Sequence, residues 1–354
     1  MSAAAASSGG LRVAVVGATG AVGTVMLRLL RDRAFPAAEI VAFASERSVG
    51  RELEDGLVVQ PLDDETIQGF DVALFSAGAT RSREWARRFV DAGAVVVDNS
   101  SAFRLVDEVP LVVSEVNPEA LDSHNGIVAN PNCTTMVAML PLKALHDEFD
   151  LREMVATSYQ AAGGAGQKGI DELASQIGPL ASDVGQLCDD GAAAAGKVAH
   201  AVHAATLAFN VVPLLGTLGD DDHTDEERKL RDESRKILGL PELAVSPTCV
   251  RVPVMVGHGV AVRAVFAREP DLERALEVLR DFPNLVVDDV PTPLQYAGRD
   301  EVAVGRVRRD LGSPLALNFF VVGDNLLKGA ALNTVQLAEV LLERGLVGAR
   351  SAAA

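Results

Sequence analysis

Short apolar runs alternate with helical repeats over the first third of the chain. The runs are rich in valine and alanine, and the stretches between them, such as 22–33 and 82–92, repeat with a helical period. Strands that are apolar at nearly every position are covered on both faces, as in parallel sheets. The pattern predicts an α/β fold with a doubly wound parallel sheet from residue 11 to about 133. The six candidate strands are 12–16, 40–43, 71–75, 94–97, 111–113 and 126–129.

Beyond residue 133 the pattern changes to longer candidate strands. They are 153–160, 249–256, 260–268 and 315–322, with helices at 171–184, 225–238 and 271–281 and a further helical, alanine-rich stretch at 192–205. Such a mixture predicts an α+β domain with an antiparallel or mixed sheet. An amphipathic helix at 329–344 is expected to return to the first domain. The expected division is therefore 11–133 with 329–348, and 134–328, between disordered tails at 1–10 and 349–354.

Length and charge narrow the classes of protein further. A chain of 354 residues fits two domains. The formal net charge of −17 repels a nucleic-acid backbone, so nucleic acid is not an expected partner, although a few arginines in a cleft can still attract a small anion. No apolar run is long enough to span a membrane, and the N-terminal residues lack the basic and apolar regions of a signal peptide.

The cysteines indicate a reducing compartment and no metal site. Cys133, Cys188 and Cys249 are odd in number, far apart and without a C-x-x-C pair, so the sequence supports neither a disulfide framework nor a zinc site. We therefore expect a cytoplasmic protein.

A glycine-rich turn follows the first candidate strand and opens a helix. Its backbone can approach a pyrophosphate closely, and the helix N-terminus supplies free N–H groups. The position predicts a Rossmann-type dinucleotide site, and the alternative is a tight turn without a ligand. The expected contacts are Gly17, Thr19, Gly20, Ala21, Val22 and Gly23.

The stretch after the second strand bears on the choice of cofactor. An NAD enzyme usually places an acidic residue here for the ribose hydroxyls. This chain has Ser45, Arg47 and Ser48, which suit a 2′-phosphate and favour NADP, although Glu46 is also present. Arg47 could equally be a solvated surface charge.

Cys133 lies where an apolar strand pattern gives way to a helical one, in N-P-N-C-T-T at 130–135. A helix beginning at Thr134 would stabilise the thiolate, the reactive form of the side chain. The free backbone N–H groups at the N-terminus of that helix could also hold an oxyanion. A thiolate beside a nicotinamide can couple acyl transfer to hydride transfer. The alternative is a buried thiol that only packs.

Six motifs together resemble the aspartate-β-semialdehyde dehydrogenase family, in the family's order and over nearly everything between the tails. They are G-A-T-G-A-V-G (17–23), D-N-S-S-A-F-R (98–104), N-P-N-C-T-T (130–135), S-Y-Q-A-A-G-G-A-G (158–166), R-V-P-V-M-V-G-H-G (251–259) and G-D-N-L-L-K-G-A-A-L-N (323–333). The resemblance implies a Rossmann domain completed by the C-terminal helix and a catalytic and dimerisation domain, hence a homodimer. It also implies reduction of β-aspartyl phosphate by NADPH to the semialdehyde, with release of phosphate.

The same resemblance assigns the chemistry to particular residues. Cys133 would form the acyl-thioester, His258 would be the general base or acid, and Gln160 would orient the acyl group. Because Gly257 and Gly259 flank it, we expect His258 to lie at a turn rather than to be packed inside. Without the resemblance, a histidine at a turn would be interpreted as a solvated surface group. Arg251, on an otherwise apolar strand, would hold the α-carboxylate, and without the resemblance a buried ion pair explains it equally well.

The remaining assignments concern the substrate's charged groups and the nicotinamide. Thr224 and Glu227 form a capping box, which leaves Glu226 and Lys229 as neighbours on the helix surface, where an exposed ion pair is the plainer interpretation. The resemblance gives Glu226 to the amino group. The assigned phosphate ligands are Lys229, Arg104 and Asn132, and the assigned cofactor contacts are Asn325, Gly163 and Gly164. Cys188 and Cys249 match no motif and are expected to be inert.

Two alternatives stay open at this stage. One is a related cysteine-dependent acyl-phosphate reductase, such as N-acetyl-γ-glutamyl-phosphate reductase or a glyceraldehyde-phosphate dehydrogenase. Glu226 argues against it, since only a free amino group needs that carboxylate. The other is a dinucleotide-binding redox sensor in which Cys133 is oxidised rather than acylated.

Overall fold

The computed structural model describes residues 10–54 and 56–347. These residues form two compact units. The first contains the described residues up to Pro131 and from Ala331 onward, and the second is Asn132–Ala330. Apart from Gly10, the tails expected at 1–10 and 349–354 lie outside the described residues.

The first unit contains a five-stranded, wholly parallel sheet with the order β2-β1-β3-β4-β5. Strands β3, β4 and β5 are fully buried, and β1 and β2 become buried toward their C-terminal ends, which explains their apolar sequence. The doubly wound fold expected from the sequence is confirmed. The elements are β1 (Leu11–Val16), α1 (Ala21–Asp32), β2 (Ala37–Phe43), β3 (Val72–Phe75), α2 (Ala79–Asp91), β4 (Val95–Asp98), β5 (Ile127–Ala129) and α10 (Leu332–Glu343).

The second unit contains a six-stranded mixed sheet with the order β7-β6-β8-β11-β10-β9. Neighbours pair antiparallel except for β6 with β7 and β9 with β10. The expected α+β class is therefore confirmed. The elements are α3 (Cys133–Phe149), β6 (Leu151–Gln160), α4 (Gln167–Ala181), α5 (Val184–Asp189), α6 (Gly191–Ala195), α7 (Asp225–Leu238), β7 (Ala244–Arg251), β8 (His258–Phe266), α8 (Leu272–Asp281), β9 (Leu285–Val287), α9 (Pro293–Tyr296), β10 (Val302–Arg309) and β11 (Ala316–Gly323).

Three expected elements are wrong in detail. The run 111–113 is buried but makes only an isolated bridge between Leu111 and Ala129. The strand expected at 249–256 ends at Arg251, because Pro253 has no N–H to continue the ladder. The helix expected at 192–205 ends at Ala195, and side chains of α4 hold the segment that follows.

Those α4 side chains replace the missing helical hydrogen bonds. Glu172 accepts the backbone N–H groups of Ala201, Val202 and His203. Buried Gln176 accepts those of Leu207 and Ala208. The segment is thus ordered by a neighbouring helix rather than by its own alanines. Among the described residues, no helix combines the length and the apolar composition needed to cross a membrane.

Candidate active site

The glycine-rich turn lies between β1 and α1 in the first unit. Gly17 has a φ of +94°, and a Cβ there would overlap the carbonyl of Ser76. A Cβ at Gly23 would overlap the carbonyl of Gly17. Helix α1 begins after Gly20 with no acidic residue in its first turn. The turn therefore brings bare backbone and a positive helix end together, as a pyrophosphate site requires.

The residues expected to choose between cofactors follow β2. Ser45 and Arg47 are exposed, Ser48 is half-buried, and Glu46–Ser48 forms one short helical turn. Glu46 is exposed beside Arg47, so both charges can reach solvent.

Arg104 is a buried arginine that donates to two backbone carbonyls of the first unit. Its Nε donates to Asn130 O and its Nη2 to Asn99 O, each at 2.9 Å. The side chains of Asn99, Asn130 and Asn333 are linked to one another by hydrogen bonds of 2.6 and 2.7 Å. Sequence analysis did not single out this asparagine network, since its members lie far apart along the chain.

Cys133 is the first residue of α3 and is partly exposed. Asn132 caps the helix, with its side-chain oxygen accepting from Thr134 N at 2.9 Å and Thr135 N at 3.4 Å. The Cys133 Sγ lies 3.3 Å from His258 Nε2. The sulfur thus lies at the positive end of a helix and in contact with an imidazole, the setting of a reactive cysteine.

The expectation that His258 is presented at a turn is wrong. It is the first residue of β8 and is fully buried. A Cβ at the neighbouring Gly259 would be 2.5 Å from the ring of Phe320, so the strand is tightly covered there. Burial, together with the positive charge of Arg251, lowers the pKa of His258 to about 3, although the carbonyl of Gly257 acts in the opposite direction.

Arg251 ends β7 and lies beside the histidine. Its Nη1 donates to the carbonyl of Ala161 at 2.6 Å. Burial lowers its pKa, whereas the Cys133 sulfur and the Glu226 carboxylate favour its charged form. The guanidinium therefore brings a positive charge close to the sulfur, and among the residues that the structure describes it forms no ion pair with a carboxylate.

The segment after β6 is made of small residues because the neighbouring side chains fill the space. Gln160, the last residue of β6, is buried and donates from Nε2 to Ser158 Oγ at 3.1 Å. A Cβ at Gly164 would lie 2.6 Å from Arg251 Nη1 and 3.3 Å from His258 Nε2. Gly163 donates its N–H to the carbonyl of Met255 at 2.9 Å.

Helix α7 carries the acidic and basic residues expected at the substrate. The capping box of Thr224 and Glu227 is confirmed. Glu226 accepts from Asn132 Nδ2 at 2.8 Å and lies 3.3 Å from Lys229 Nζ, which also pairs with Asp225 at 2.5 Å. Burial alone would lower the pKa of Lys229, but the two carboxylates raise it overall. Glu226 and Lys229 are therefore not a freely solvated ion pair on the helix surface.

Asn325 is buried and its Oδ1 accepts the N–H of Gly257 at 2.8 Å. It therefore holds the residue just before His258.

The two other cysteines differ from Cys133, since Cys188 is exposed on α5, whereas burial raises the pKa of Cys249 to about 12.

Two residues near the cysteine were missed by sequence analysis. Buried Glu233, two turns after Glu226 on α7, accepts the backbone N–H of Asn132 at 2.6 Å. A Cβ at Gly329 would lie 3.0 Å from the Cβ of Cys133. The helical spacing of seven between Glu226 and Glu233 was available in the sequence, but the burial of this helix face was not.

Within the second unit, the contacts run continuously from Lys229 to Arg251. The order is Lys229, Glu226, Asn132 with Cys133, His258, Ala161 and Arg251. The glycine-rich turn, Ser45–Ser48 and Arg104 belong to the first unit. The arrangement in the second unit brings together a thiol, an imidazole and side chains of both signs of charge, which suits a small zwitterionic or anionic substrate.

Two family models match the chain. Residues 12–124 match the NAD binding domain of semialdehyde dehydrogenases, and residues 142–328 match their dimerisation domain. Curated relatives agree over nearly the full length. Aspartate-semialdehyde dehydrogenase from Streptomyces akiyoshiensis is 51% identical, covering 94% of this chain and 98% of its own, and that from Bacillus subtilis is 38% identical, covering 96% and 99%.

Solved structures show the same architecture. Aspartate semialdehyde dehydrogenase II of Vibrio cholerae, complexed with ASA, is 39% identical with a TM-score of 0.87, covering 95% of this chain and 99% of its own. The Candida albicans enzyme with NADP is 25% identical with a TM-score of 0.71, covering 95% and 100%.

Proposed function

This chain belongs to the aspartate-semialdehyde dehydrogenase family, and we propose the residues through which it carries out the family's reaction. The reaction is the reductive dephosphorylation of β-aspartyl phosphate to aspartate β-semialdehyde, a step in the biosynthesis of lysine, threonine and methionine. The observation that carries the proposal is the contact of 3.3 Å between Cys133 Sγ and His258 Nε2 at the N-terminus of α3.

Cys133 is the nucleophile. Its thiolate attacks the β-carbonyl carbon, an S–C bond forms, and the C–O bond to phosphate breaks to leave a thioester. NADPH, when bound, supplies the hydride that reduces this thioester. His258 is the group that gives or takes a proton or hydrogen bond at the sulfur and at the thiohemiacetal oxygen, and Gln160 orients the acyl group. The C–S bond then breaks and the aldehyde is released.

Arg251 and Glu226 recognise the two ends of the amino acid. The fork of Arg251 suits the α-carboxylate, and the carboxylate of Glu226 suits the α-amino group. Lys229 and Asn132 in the second unit and Arg104 in the first are the proposed phosphate ligands. Two observations support this assignment. Arg104 and Lys229 are both more than half buried, and both are positive charges in a chain whose formal net charge is −17.

NADP rather than NAD is the proposed cofactor. Ser45, Arg47 and Ser48 suit the 2′-phosphate, and the bare turn from Gly17 to Gly23, with Thr19, Gly20, Ala21 and Val22, suits the pyrophosphate. Asn325, Gly163 and Gly164 are proposed at the nicotinamide end. Both the exposure of Arg47 and the absence of an acidic residue in the first turn of α1 support this assignment.

The protein is proposed to act as a cytoplasmic homodimer. The outer face of the six-stranded sheet exposes Val155 and Tyr159 on β6, beside the ion pair of Arg263 with Glu153. The ring of Tyr159 lies 5.9 Å from that of Phe320 on β11. Exposed apolar side chains grouped on a sheet face and bordered by charged ones are typical of an interaction surface. Light scattering on the purified protein should give twice the mass of 37.1 kDa.

The proposed nucleophile is tested by following cofactor reduction with aspartate semialdehyde and phosphate. Cys133→Ala should abolish turnover while NADP binding persists, and Cys188→Ala, at an exposed position on α5, is the matched control and should keep wild-type activity. Full turnover by Cys133→Ala would refute the mechanism. Running the assay with NAD in place of NADP tests the cofactor preference, and an N-acetylated substrate tests the related reductase.

A further inference from the structure

The peptide unit of Ala161 connects two side chains of the site. Its N–H donates to His258 Nδ1 at 3.1 Å, and its carbonyl accepts from Arg251 Nη1 at 2.6 Å. The backbone N–H is a donor whatever the pH, because it carries a hydrogen and no accessible lone pair. Nδ1 must therefore be the acceptor in this contact, and it carries no proton.

A neutral imidazole has one protonated nitrogen, so the proton is on Nε2. That nitrogen faces Cys133 Sγ at 3.3 Å. An imidazolium would carry a second proton on Nδ1 and direct it at the Ala161 N–H. The same hydrogen-bond geometry that fixes one tautomer thus also disfavours the charged ring.

Burial and the nearby guanidinium act in the same direction and outweigh the carbonyl of Gly257, which favours the charged ring. His258 is fully buried, and the ionisable side chains that interact with it are Cys133 at the start of α3 and Arg251 at the end of β7. The guanidinium opposes a second positive charge nearby, and desolvation penalises the imidazolium. The pKa of His258, about 3, is consistent with a ring that stays neutral at physiological pH.

We propose that His258 in the resting enzyme is the neutral Nε2–H tautomer, fixed by Ala161, and that it donates a hydrogen bond to the Cys133 thiolate instead of removing the thiol proton. This inference rests on the proposed role of Cys133 as the nucleophile. The thiol proton then passes to solvent water, which partly exposed Cys133 can reach.

The proton balance of the reaction is complete without ionisation of His258. When sulfur attacks the acyl phosphate, the carbonyl electron pair moves to oxygen and then expels phosphate, and the one proton that the reaction consumes is taken from solvent by the departing phosphate. After reduction, the thiohemiacetal oxyanion re-forms the carbonyl and the C–S bond electrons return to sulfur. The Nε2–H donates in turn to the sulfur and to that oxyanion, so it stabilises charge in the manner of an oxyanion hole.

The tautomer is measured by nitrogen NMR on the full-length resting enzyme labelled with ¹⁵N-histidine. The His258 signals are those missing from His258→Asn. We expect an unprotonated Nδ1 and a protonated Nε2 that do not change between about pH 5 and pH 8, the range in which an ordinary histidine titrates. A protonated Nδ1, directed at the Gly257 carbonyl, or an imidazolium in this range would overturn the proposal.

The Cys133→Ala variant shows what fixes the tautomer. If the Ala161 N–H does so, Nδ1 stays unprotonated in this variant, whereas a proton that moves to Nδ1 when the sulfur is removed would refute the role of Ala161. No substrate or cofactor is present in either spectrum. A failure of the tautomer proposal is therefore distinct from a failure of the proposed activity, which the turnover assay reports.

Discussion

Position 329 leaves little room for a side chain beside the nucleophile. A Cβ there would lie 3.0 Å from the Cβ of Cys133 and 3.2 Å from the carbonyl of Asp324. The residue belongs to a short π-helical turn, Leu327–Ala331, a form that often occurs at functional sites. Its small size therefore sets how the start of α3 is positioned.

Gly329→Ala should reduce kcat while the protein still folds. The added methyl group pushes Cys133 by a few tenths of an ångström, and displacements approaching 1 Å can cost roughly 100-fold, so we expect a loss on the order of tenfold. Steady-state kinetics with a thermal melt measure both effects. Gly185→Ala on α5, where the nearest atom would be 3.8 Å away, is the control and should retain activity. Wild-type kcat in Gly329→Ala would contradict the steric argument.

The placement of an individual site residue was predictable where residues next to it in the sequence determine it. The place of Cys133 at a strand-to-helix boundary follows from the apolar pattern, whereas the capping role of Asn132 was not predicted. The burial of His258 was not predictable, because Gly257 and Gly259 on either side are typical of a turn. Burial depends on Phe320 of a distant strand, which packs over Gly259.

At the scale of elements, α7 acts on the nucleophile through Asn132. Glu226 and Glu233 accept the side-chain and backbone N–H groups of this one residue, at 2.8 and 2.6 Å. Asn132 in turn caps α3. The orientation of α3, and hence of Cys133, is therefore set by a helix that also carries the proposed ligand of the substrate's amino group.

Glu233→Ala should lower kcat by about 10- to 100-fold and change KM less, since it removes a support of Cys133 and no substrate contact. Glu233→Gln keeps an acceptor oxygen for the Asn132 N–H and should recover most of the activity. Kinetics and circular dichroism on both variants measure this.

Ser234→Ala is the matched control for Glu233. Ser234 is also buried on α7, but its hydroxyl donates to Leu230 O of the same helix. It should remain active. Equal losses in Ser234→Ala and Glu233→Ala, or no recovery with Gln, would show that general damage to α7 is responsible.

Periodicity identified α7 at its exact bounds, 225–238, because its apolar face is regular and both caps are local. It failed at 192–205, where an alanine-rich composition favours a helix but Gly196 ends it. The conformation that follows depends on Glu172 and Gln176 of α4. Contacts of that kind connect separate elements and leave no periodic pattern.

At the scale of the whole molecule, histidines that are half-buried or buried link stability to pH. Burial lowers the pKa values of His146, His203 and His258 from 6.5. Between the folded and the unfolded pKa, the unfolded chain binds a proton that the folded chain does not. The stabilisation is therefore fully present above pH 6.5 and is lost as the pH falls below it. Asp98 acts in the opposite direction, because burial raises its pKa.

Acidification should thus reduce the free energy of unfolding, and His258→Asn should reduce the size of that effect. For the fully buried His258, the loss is about 1.4 kcal/mol for each pH unit below 6.5. Urea unfolding at two pH values, one above and one below 6.5, gives the change for each protein. Ser234→Ala, which removes no ionisable group, is the control variant, and its change should equal that of the wild type. If His258→Asn also matched the wild type, His258 would have to be binding a proton in the folded protein, and neither its burial nor the Ala161 contact would then keep the ring neutral.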